Sequence, residues 1–502
     1  MFLFCPSRRR LSAKTVTACV LSVLMAGIWM APALAGPWTE TGNAGLRSDI
    51  ELLESARLVH GITMQWPIAW SGLEARLGDL STLQRQPAYL RAAARRVRAA
   101  AEADTRTGFY ADSFVDLTSE PSVIRGFDGL GRQAAQSRFA LGYNGEDTTL
   151  HLAVGIQSGN RYDRQTLMFD GSYLAQRLGN SIVYAGYLDH WWGPGWMSAL
   201  ALSNNARPMP QIGIMRADPK PFTWPILRWL GPWQAQFLVG VMDGPRANRN
   251  SLYTAARVSV NPFPGFELGV GRVTQMCGTG IPCSPLADWI QFSNNSNNVN
   301  NTNGQAMIDV RYSGKIGQLP FSIYAQEMNE VQSNPMPQEV THLAGLTAWS
   351  PLAGGLARLT LEYSSTVPIY QLFWGGVQAH GYAYNNYLYT DGTRYRGRSL
   401  GFSLDSDSEM FSVQGDWRSD SGIGYRLSFH SANVSHPLIK SYVSYWYNVV
   451  TAAPVRINMA EARMIFPFRG ANFELAFRAQ DDQPRPDSGA TAAVELAIRI
   501  RH

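Results

Sequence analysis

The feature that most constrains this chain is a period-two alternation that sets in after Gly108 and persists almost to the last residue. Segments of about ten residues alternate apolar with polar side chains and are separated by Gly, Asn, Asp and Pro. Ala306, Ile308, Val310 and Tyr312 oppose Met307, Asp309 and Arg311. Leu359, Leu361 and Tyr363 oppose Arg358, Thr360 and Glu362, and Ile423, Tyr425, Leu427 and Phe429 oppose Arg426, Ser428 and His430. Val494, Leu496, Ile498 and Ile500 oppose Glu495 and Arg499. The polar face of a soluble sandwich meets water and tolerates lysine and glutamate freely. Here it mixes Arg, Glu and Asp, as expected of charges that pair across a lumen while Leu, Ile, Val and Phe face lipid. Backbone N–H and C=O groups in hydrocarbon all need partners, which a closed sheet supplies, so the expected fold is an all-β transmembrane barrel.

The alternating region 108–502 holds between about 16 and 22 candidate strands, and bacterial barrels take even numbers. Tyr442, Tyr445, Trp446 and Tyr447 are candidates for an interfacial aromatic girdle. The rhythm breaks at Arg216–Pro232, Gln275–Gly304 and Pro368–Arg394, and outer-membrane convention turns long loops outward and short turns to the periplasm. The polar run Asn294–Asn303 reads as an exterior loop.

Residues 1–35 read as a secretory leader: Arg8, Arg9, Arg10 and Lys14, an apolar stretch from Val16 to Met30, and Ala33-Leu34-Ala35 before Gly36. Those four are among 43 basic residues, and none of the 38 acidic ones precedes Gly36, so the exported chain is close to neutral. The basic balance is thus an export label rather than a nucleic-acid footprint. After the leader the only lysines are Lys220, Lys315 and Lys440, leaving positive charge to arginine, which suits bidentate pairing in enclosed spaces. Cys277 and Cys283 are the two cysteines left, and an oxidising compartment favours a disulfide between them over two free thiols. Beyond the leader there is no run of the ~18 apolar residues a membrane helix needs, which excludes helical membrane proteins only.

Residues 36–107 have helical texture and are expected as a small periplasmic helical region. Ile50, Leu52, Leu53 and Ala56–Val59 make an apolar stripe behind a capping box at Ser48-Asp49-Ile50-Glu51. A second short helix is expected over Leu73–Leu80 and a third from Pro87, whose arginines read as a solvated face.

Two stretches stand apart. In Asp189–Pro210, DHWWGPGWMSALALSNNARPMP, Trp191, Trp192 and Trp196 surround a Gly-Pro-Gly bend, and Asn204, Asn205 and Arg207 follow. Aromatic planes beside amides and a guanidinium are what a sugar-binding surface needs; equally, the tryptophans suit a tightly packed turn. The run Ser181–Leu188 before it and Ser198–Leu202 after it read as strands, which makes Trp191–Trp196 a short rim connection, expected on the periplasmic side as a brace. In the second stretch, Tyr384–Phe411, Tyr387 and Tyr389 precede Arg394, Arg396 and Arg398, which strand alternation would set on one face with Tyr395 on the other. Such a row needs acidic partners, either in the barrel or on an acidic polysaccharide. Asp405-Ser406-Asp407-Ser408-Glu409 has alternate oxygen ligands but no EF-hand glycine or distal glutamate, so a polar turn is expected rather than a calcium site.

Both stretches, with LRSDIELLESARLVHG and QWPIAW in the helical region, resemble the capsule assembly family typified by Wzi. The resemblance covers essentially the whole exported chain. It implies a barrel of about 18 antiparallel strands with a periplasmic helical bundle, outer loops that close the lumen, a lectin-like role and no catalysis. The ending Arg499-Ile500-Arg501-His502 departs from the terminal aromatic of many outer-membrane barrels, which bears on assembly more than on fold.

Neither H-E-x-x-H nor a P-loop lysine is present, and the 8 histidines have no metal-ligand spacing. The expected function is therefore attachment or organisation of capsular or extracellular polysaccharide at the outer membrane, without enzyme activity, cofactor or metal. Expected partners are the polysaccharide, outer-membrane lipid and the polysaccharide export machinery. The alternatives are a porin-like channel for small or acidic solutes, which shares the alternation, and a hydrolase, which requires Ser or Asp to meet His near the outer rim.

Overall fold

The computed structural model describes residues 37–59, 61–74, 77, 83–128, 130–160, 163–283, 301–331, 338–369, 380–435, 448–481 and 490–501. The leader, the aromatic cluster Tyr442–Tyr447, most of the asparagine run, and His60, His436 and His502 lie outside the described residues.

A closed antiparallel barrel of 18 strands forms the wall. Its strands are β1 (Gly108–Thr118), β2 (Ala135–Asn144), β3 (Thr148–Gln157), β4 (Tyr173–Leu178), β5 (Ser181–Gly186) and β6 (Gln211–Arg216). Then come β7 (Trp233–Met242), β8 (Ser251–Phe263), β9 (Phe266–Met276), β10 (Thr302–Ile316), β11 (Leu319–Val331) and β12 (Gln338–Leu352). The circuit ends with β13 (Gly355–Ile369), β14 (Glu409–Ser419), β15 (Gly424–Val434), β16 (Val455–Phe468), β17 (Ala471–Gln480) and β18 (Thr491–Arg501). Each strand pairs with its sequence neighbour, and β18 returns to β1 in register Ile498↔Val115 and Arg499↔Phe114.

The burial along each strand is inverted relative to a soluble protein. On β15, Leu427 is 67% exposed while the neighbouring Arg426 is 5% exposed. Leu150, Leu152, Val154 and Ile156 of β3 likewise face outward. A sheet that shows leucine outside and hides arginine inside is stable only with hydrocarbon around it.

Connections divide by length between the two ends. At the end where β1 begins, seven of the eight connections run two to four residues, and the eighth is 217–232. At the opposite end they run from six residues to the thirty-nine of 370–408. The stretch 217–232, expected among the outer loops, thus sits at the short-turn end. Length was a poor guide there because position is set by strand parity.

A wall of this many strands encloses more space than its own side chains fill. Part of that space is taken by the N-terminal region. Helix α1 (Ala44–Ser55) packs against β10 and β11. Its cap is Asn43, whose side chain accepts from the Leu46 N–H at 3.0 Å, rather than the expected box at Ser48. Ser48 is instead drawn to the wall, accepting from Trp349 Nε1 at 2.9 Å. Helices α2 (Trp70–Glu74) and α3 (Ala88–Thr105) pack beside α1, with Arg96 of α3 forked onto Asp49 and Arg95 exposed. The helical region is therefore not a separate layer, since α1 buries acidic residues in the barrel wall. Arg311 of β10 lies 3.1 Å from Glu51, 3.2 Å from Glu54 and 3.0 Å from Glu267 of β9. Glu267 also accepts the backbone N–H groups of Thr63 (3.0 Å) and Met64 (2.9 Å), holding the chain after α1 inside the lumen.

Removing Arg311 leaves Glu54 and Glu267 buried without their cation, whereas Glu51 keeps Arg47 at 2.7 Å, a loss on the order of 3–5 kcal/mol. In Arg311→Ala the barrel is expected to keep its heat-modifiable band on a gel while its N-terminal region becomes open to limited proteolysis at protease levels the parent resists.

Candidate functional site: a roof of interlocked loops

The segment 187–210 joins β5 to β6 at the long-loop end and folds down into the lumen. It is neither short nor at the short-turn rim, because Ser198–Leu202 forms no wall strand. The bend Gly193-Pro194-Gly195 turns its carbonyls onto Arg47 of α1, which donates to Gly195 O at 2.9 Å and Pro194 O at 2.6 Å. A Cβ on Gly195 would stand 2.2 Å from Ser198 O, so glycine is needed there. Trp191 and Trp192 pair with Trp66 and Gln65 in a short antiparallel ladder. Trp192 Nε1 donates to Gln236 of β7 at 3.0 Å, and Trp191 Nε1 to Gly195 O at 3.0 Å. The Trp196 ring lies between two guanidinium groups, Arg47 at 4.2 Å and Arg358 at 3.5 Å from its centroid. The backbone N–H of Trp196 donates to Glu362 of β13 at 2.6 Å.

Trp191, Trp192 and Trp196 are 1%, 0% and 2% exposed, so none offers a ring face to a ligand. The sugar-platform alternative is corrected accordingly: these rings are the joint between the N-terminal segment, the infolded loop and the wall. Asn204 and Asn205 are also buried, donating to Phe127 O at 3.0 Å and Ser399 O at 2.9 Å. Arg207 ties two loops together through Asp170 (2.7 Å) and Asp163 (2.9 Å).

The arginines of the second stretch do not form a row. Arg394-Tyr395 pairs with Arg398-Ser399 across a tight turn whose central residues, Arg396 and Gly397, have φ of 49° and 79°. Positive φ at both positions reverses the chain and sends each arginine to a different partner. Arg394 donates to Asp405 at 2.8 Å, Arg396 bridges Asp163 (3.2 Å) and Asp243 (3.1 Å), and Arg398 donates to Arg132 O at 2.8 Å. Burial, with Arg125 and Arg132 close by, pushes the Arg398 guanidinium down to about 9. Burial works to raise the Asp163 carboxyl, but the hydrogen bond and charge of Arg207 and the charge of Arg396 hold it below its ordinary value. The expected polar turn at Asp405–Glu409 is a buried knot, in which Asp405 accepts from Arg394 and Val449 N–H, and Asp407 from Gly381 N–H. Among the described residues no cluster of His, Cys, Asp or Glu could hold a metal.

Cys277 and Cys283 are disulfide-bonded. Tyr389 is buried, with its single hydroxyl proton shared between Cys277 O at 3.2 Å and Asn301 O at 3.0 Å, and thereby fastens the disulfide loop to the roof. Tyr387 alone among the sequence-derived candidates keeps a substantially open side chain, at 43%. Arg164 and Arg249, which the sequence did not single out, are exposed on neighbouring loops of this end.

Two further places bring together groups capable of chemistry. Ser412 Oγ meets His430 Nδ1 at 2.8 Å, both buried in the wall. The adjoining cavity, bordered by His430 and Glu461, measures about 40 Å³, room for a few waters and not for a glycosidic linkage. A cavity of about 730 Å³ lies toward the short-turn end beside β1–β3 and β14–β18. There Asp112 accepts from His151 at 2.8 Å, and Arg463 faces Asp128 at 2.9 Å, so opposite charges on its walls already answer one another.

An apolar exterior, a charge-paired interior and a lumen occupied by the chain's own helix and loops define an outer-membrane β-barrel of the occluded kind. More particularly, the chain belongs to the capsule assembly protein Wzi family, whose model matches residues 117–471. Its fold is similar to that of Wzi from Escherichia coli, described as an outer membrane protein involved in group 1 capsule assembly and a carbohydrate-binding β-barrel. The two superpose with a TM-score of 0.78 at 19% identity, over 93% of this chain and 99% of the other. The chain is also 27% identical over 309 residues to an uncharacterised 55.8 kDa protein from the cps region of Klebsiella pneumoniae. That match spans 60% of each protein.

His190, inside the infolded loop, is pushed down to about 4 by burial, while hydrogen bonds to Gln211 and to the Trp66 backbone oppose the shift. Its Nδ1 accepts from Gln236 at 3.2 Å, which places the proton on Nε2, 3.3 Å from the Tyr184 hydroxyl. A histidine depressed from its unfolded value near 6.5 binds fewer protons folded than unfolded between those values, so its contribution to stability falls as pH drops through that window. Urea unfolding is expected to lose about 2 kcal/mol from this group between pH 7 and pH 5, and His190→Gln is expected to lack that increment.

Proposed function

We propose that this protein retains capsular or related extracellular polysaccharide at the cell surface through the long-loop end of the barrel, and that it does so without catalysis. Membership of the capsule assembly family supports the polymer, and the carbohydrate binding described for the Escherichia coli protein supports direct contact. The observation that carries the mode of action is the roof itself. The arginine–carboxylate web through Arg207, Arg394 and Arg396 holds four loops rigidly, so that Tyr387, Arg164 and Arg249 stand on a preorganised surface. An aromatic plane and guanidinium groups suit a sugar polymer bearing carboxylates. Receipt of polymer from the export machinery belongs to the same reading.

A diffusion channel fits less well, because Trp192, Trp196, Leu200, Phe402 and Leu404 pack one continuous buried cluster across the lumen. Hydrolysis fits less well because the Ser412–His430 pair has no room beside it for a sugar.

Deleting the gene is expected to release polymer into the medium with total synthesis unchanged; disappearance of the polymer altogether would assign the protein to synthesis or export instead. Tyr387→Ala combined with Arg249→Ala is expected to weaken binding of purified protein to the strain's own polysaccharide by roughly fivefold or more, about 1 kcal/mol. The barrel itself should remain folded, and planar-bilayer recordings of the parent should lack stable conductance steps.

A further inference from the structure

The connection 217–232 is the exception at the short-turn end, sixteen residues where its neighbours have two to four. Its composition is equally unusual. Trp224, Ile226 and Trp229 are 59%, 64% and 67% exposed around a single 3₁₀ turn at Arg228–Leu230. Lys220 and Arg228 are exposed beside them; the sole acidic residue of the segment, Asp218, is largely buried and lies 2.9 Å from Lys220 Nζ, whose side chain stays 75% exposed, and the segment's cations outnumber it. Indole rings held this far out are costly in water, and nothing in the connection's role as a turn requires them.

The base of the connection shows which way it faces. On β7, Gln234 and Gln236 point into the lumen, so Trp233 and Phe237 point outward. Phe222 stacks on Trp233 with centroids 4.4 Å apart and planes 4° from parallel. Arg216, which follows the outward Ile212 and Ile214 of β6 at the same parity, lies with its guanidinium 3.8 Å from the Trp233 centroid. From there it donates to the carbonyls of Asp218 and Lys220. The connection is therefore folded over the lipid-facing side of the wall and continues that surface past its edge. Indole is favoured at the boundary between hydrocarbon and water, and lysine and arginine stems reach from such a boundary to phosphate.

We propose that residues 217–232 form a membrane-surface anchor that seats Trp224, Ile226 and Trp229 in the headgroup layer of the adjoining leaflet and holds anionic phospholipid phosphates with Lys220 and Arg228. At the short-turn end that leaflet is the periplasmic one, made of phospholipid. The anchor fixes the depth and rotation of the barrel on one side, whereas the two- to four-residue turns elsewhere offer no such purchase. It is independent of polysaccharide retention, which acts at the opposite end.

The test places an environment-sensitive fluorophore at Thr223→Cys of the full barrel, whose disulfide-bonded cysteines do not compete for it. The protein is reconstituted in vesicles of phosphatidylcholine, alone or mixed with phosphatidylglycerol. The label should be shielded from aqueous iodide and quenched by nitroxide lipids labelled near the headgroup. Spin-labelled phosphatidylglycerol should quench it more than spin-labelled phosphatidylcholine, by roughly fivefold in local enrichment per engaged cation. Lys220→Gln with Arg228→Gln should abolish that preference while leaving the barrel's gel migration unchanged. Full access to iodide with no quenching by nitroxide lipid would overturn the anchor and mark the connection as a loop held in water, as a docking site for a protein would be. Equal quenching by the two lipids would overturn the phosphate-binding role of the two cations. Neither readout involves polysaccharide, so a failure here is distinct from a failure of the retention reading.

Discussion

Everything in this molecule follows from the rule that backbone polar groups in hydrocarbon must be paired. Closure of the sheet from β18 onto β1 satisfies the rule and removes every free edge. Closure with 18 strands then creates a second difficulty, a lumen too wide for wall side chains to fill. A porin of this size leaves the space to water. Here α1, the chain through Thr63–Trp66, the Trp191–Trp196 loop and the Tyr384–Leu404 loop enter it, and each brings polar backbone that the wall must satisfy.

The satisfaction is achieved by long polar side chains reaching inward from the strands. Glu267 takes the N–H groups of Thr63 and Met64, Glu362 those of Trp196 and Met197, and Gln326 both donates to Trp192 O and accepts from Leu200 N–H. Buried carboxylates are tolerable only with cations at hand, which explains why Arg311 is shared among three of them and why Arg47 and Arg358 enclose Trp196. Arginine suits both tasks because its planar fork hydrogen-bonds at the edge and stacks on its face. The scarcity of lysine outside the leader is the compositional trace of the same demand.

The two ends of the barrel put this interior to different uses. At the long-loop end, infolding stiffens the loops into a surface, and on the retention reading its few exposed groups meet a flexible polymer at little entropic cost. At the short-turn end the wall stays plain except for one aromatic and basic connection lying against the lipid side.

The alternation alone determined the barrel, the inward and outward faces of strands such as β10, β13 and β15, and membrane residence, because a two-residue period leaves each side chain no choice but one of two sides. The two motifs identified the family for a related reason: a packed joint of tryptophans and a knot of Arg394 with Asp405 accept few replacements. What those motifs do was not legible, since a buried indole and a sugar-stacking indole are the same residue until the surroundings are known. The tertiary structure decided that Trp191, Trp192 and Trp196 are internal, that Arg396 turns the chain so that no arginine row exists, and that 217–232 lies at the short-turn end. The first and third of these depend on contacts more than a hundred residues apart or on the parity of all preceding strands, which local sequence does not record; the second is a local turn whose mark in the sequence is Gly397.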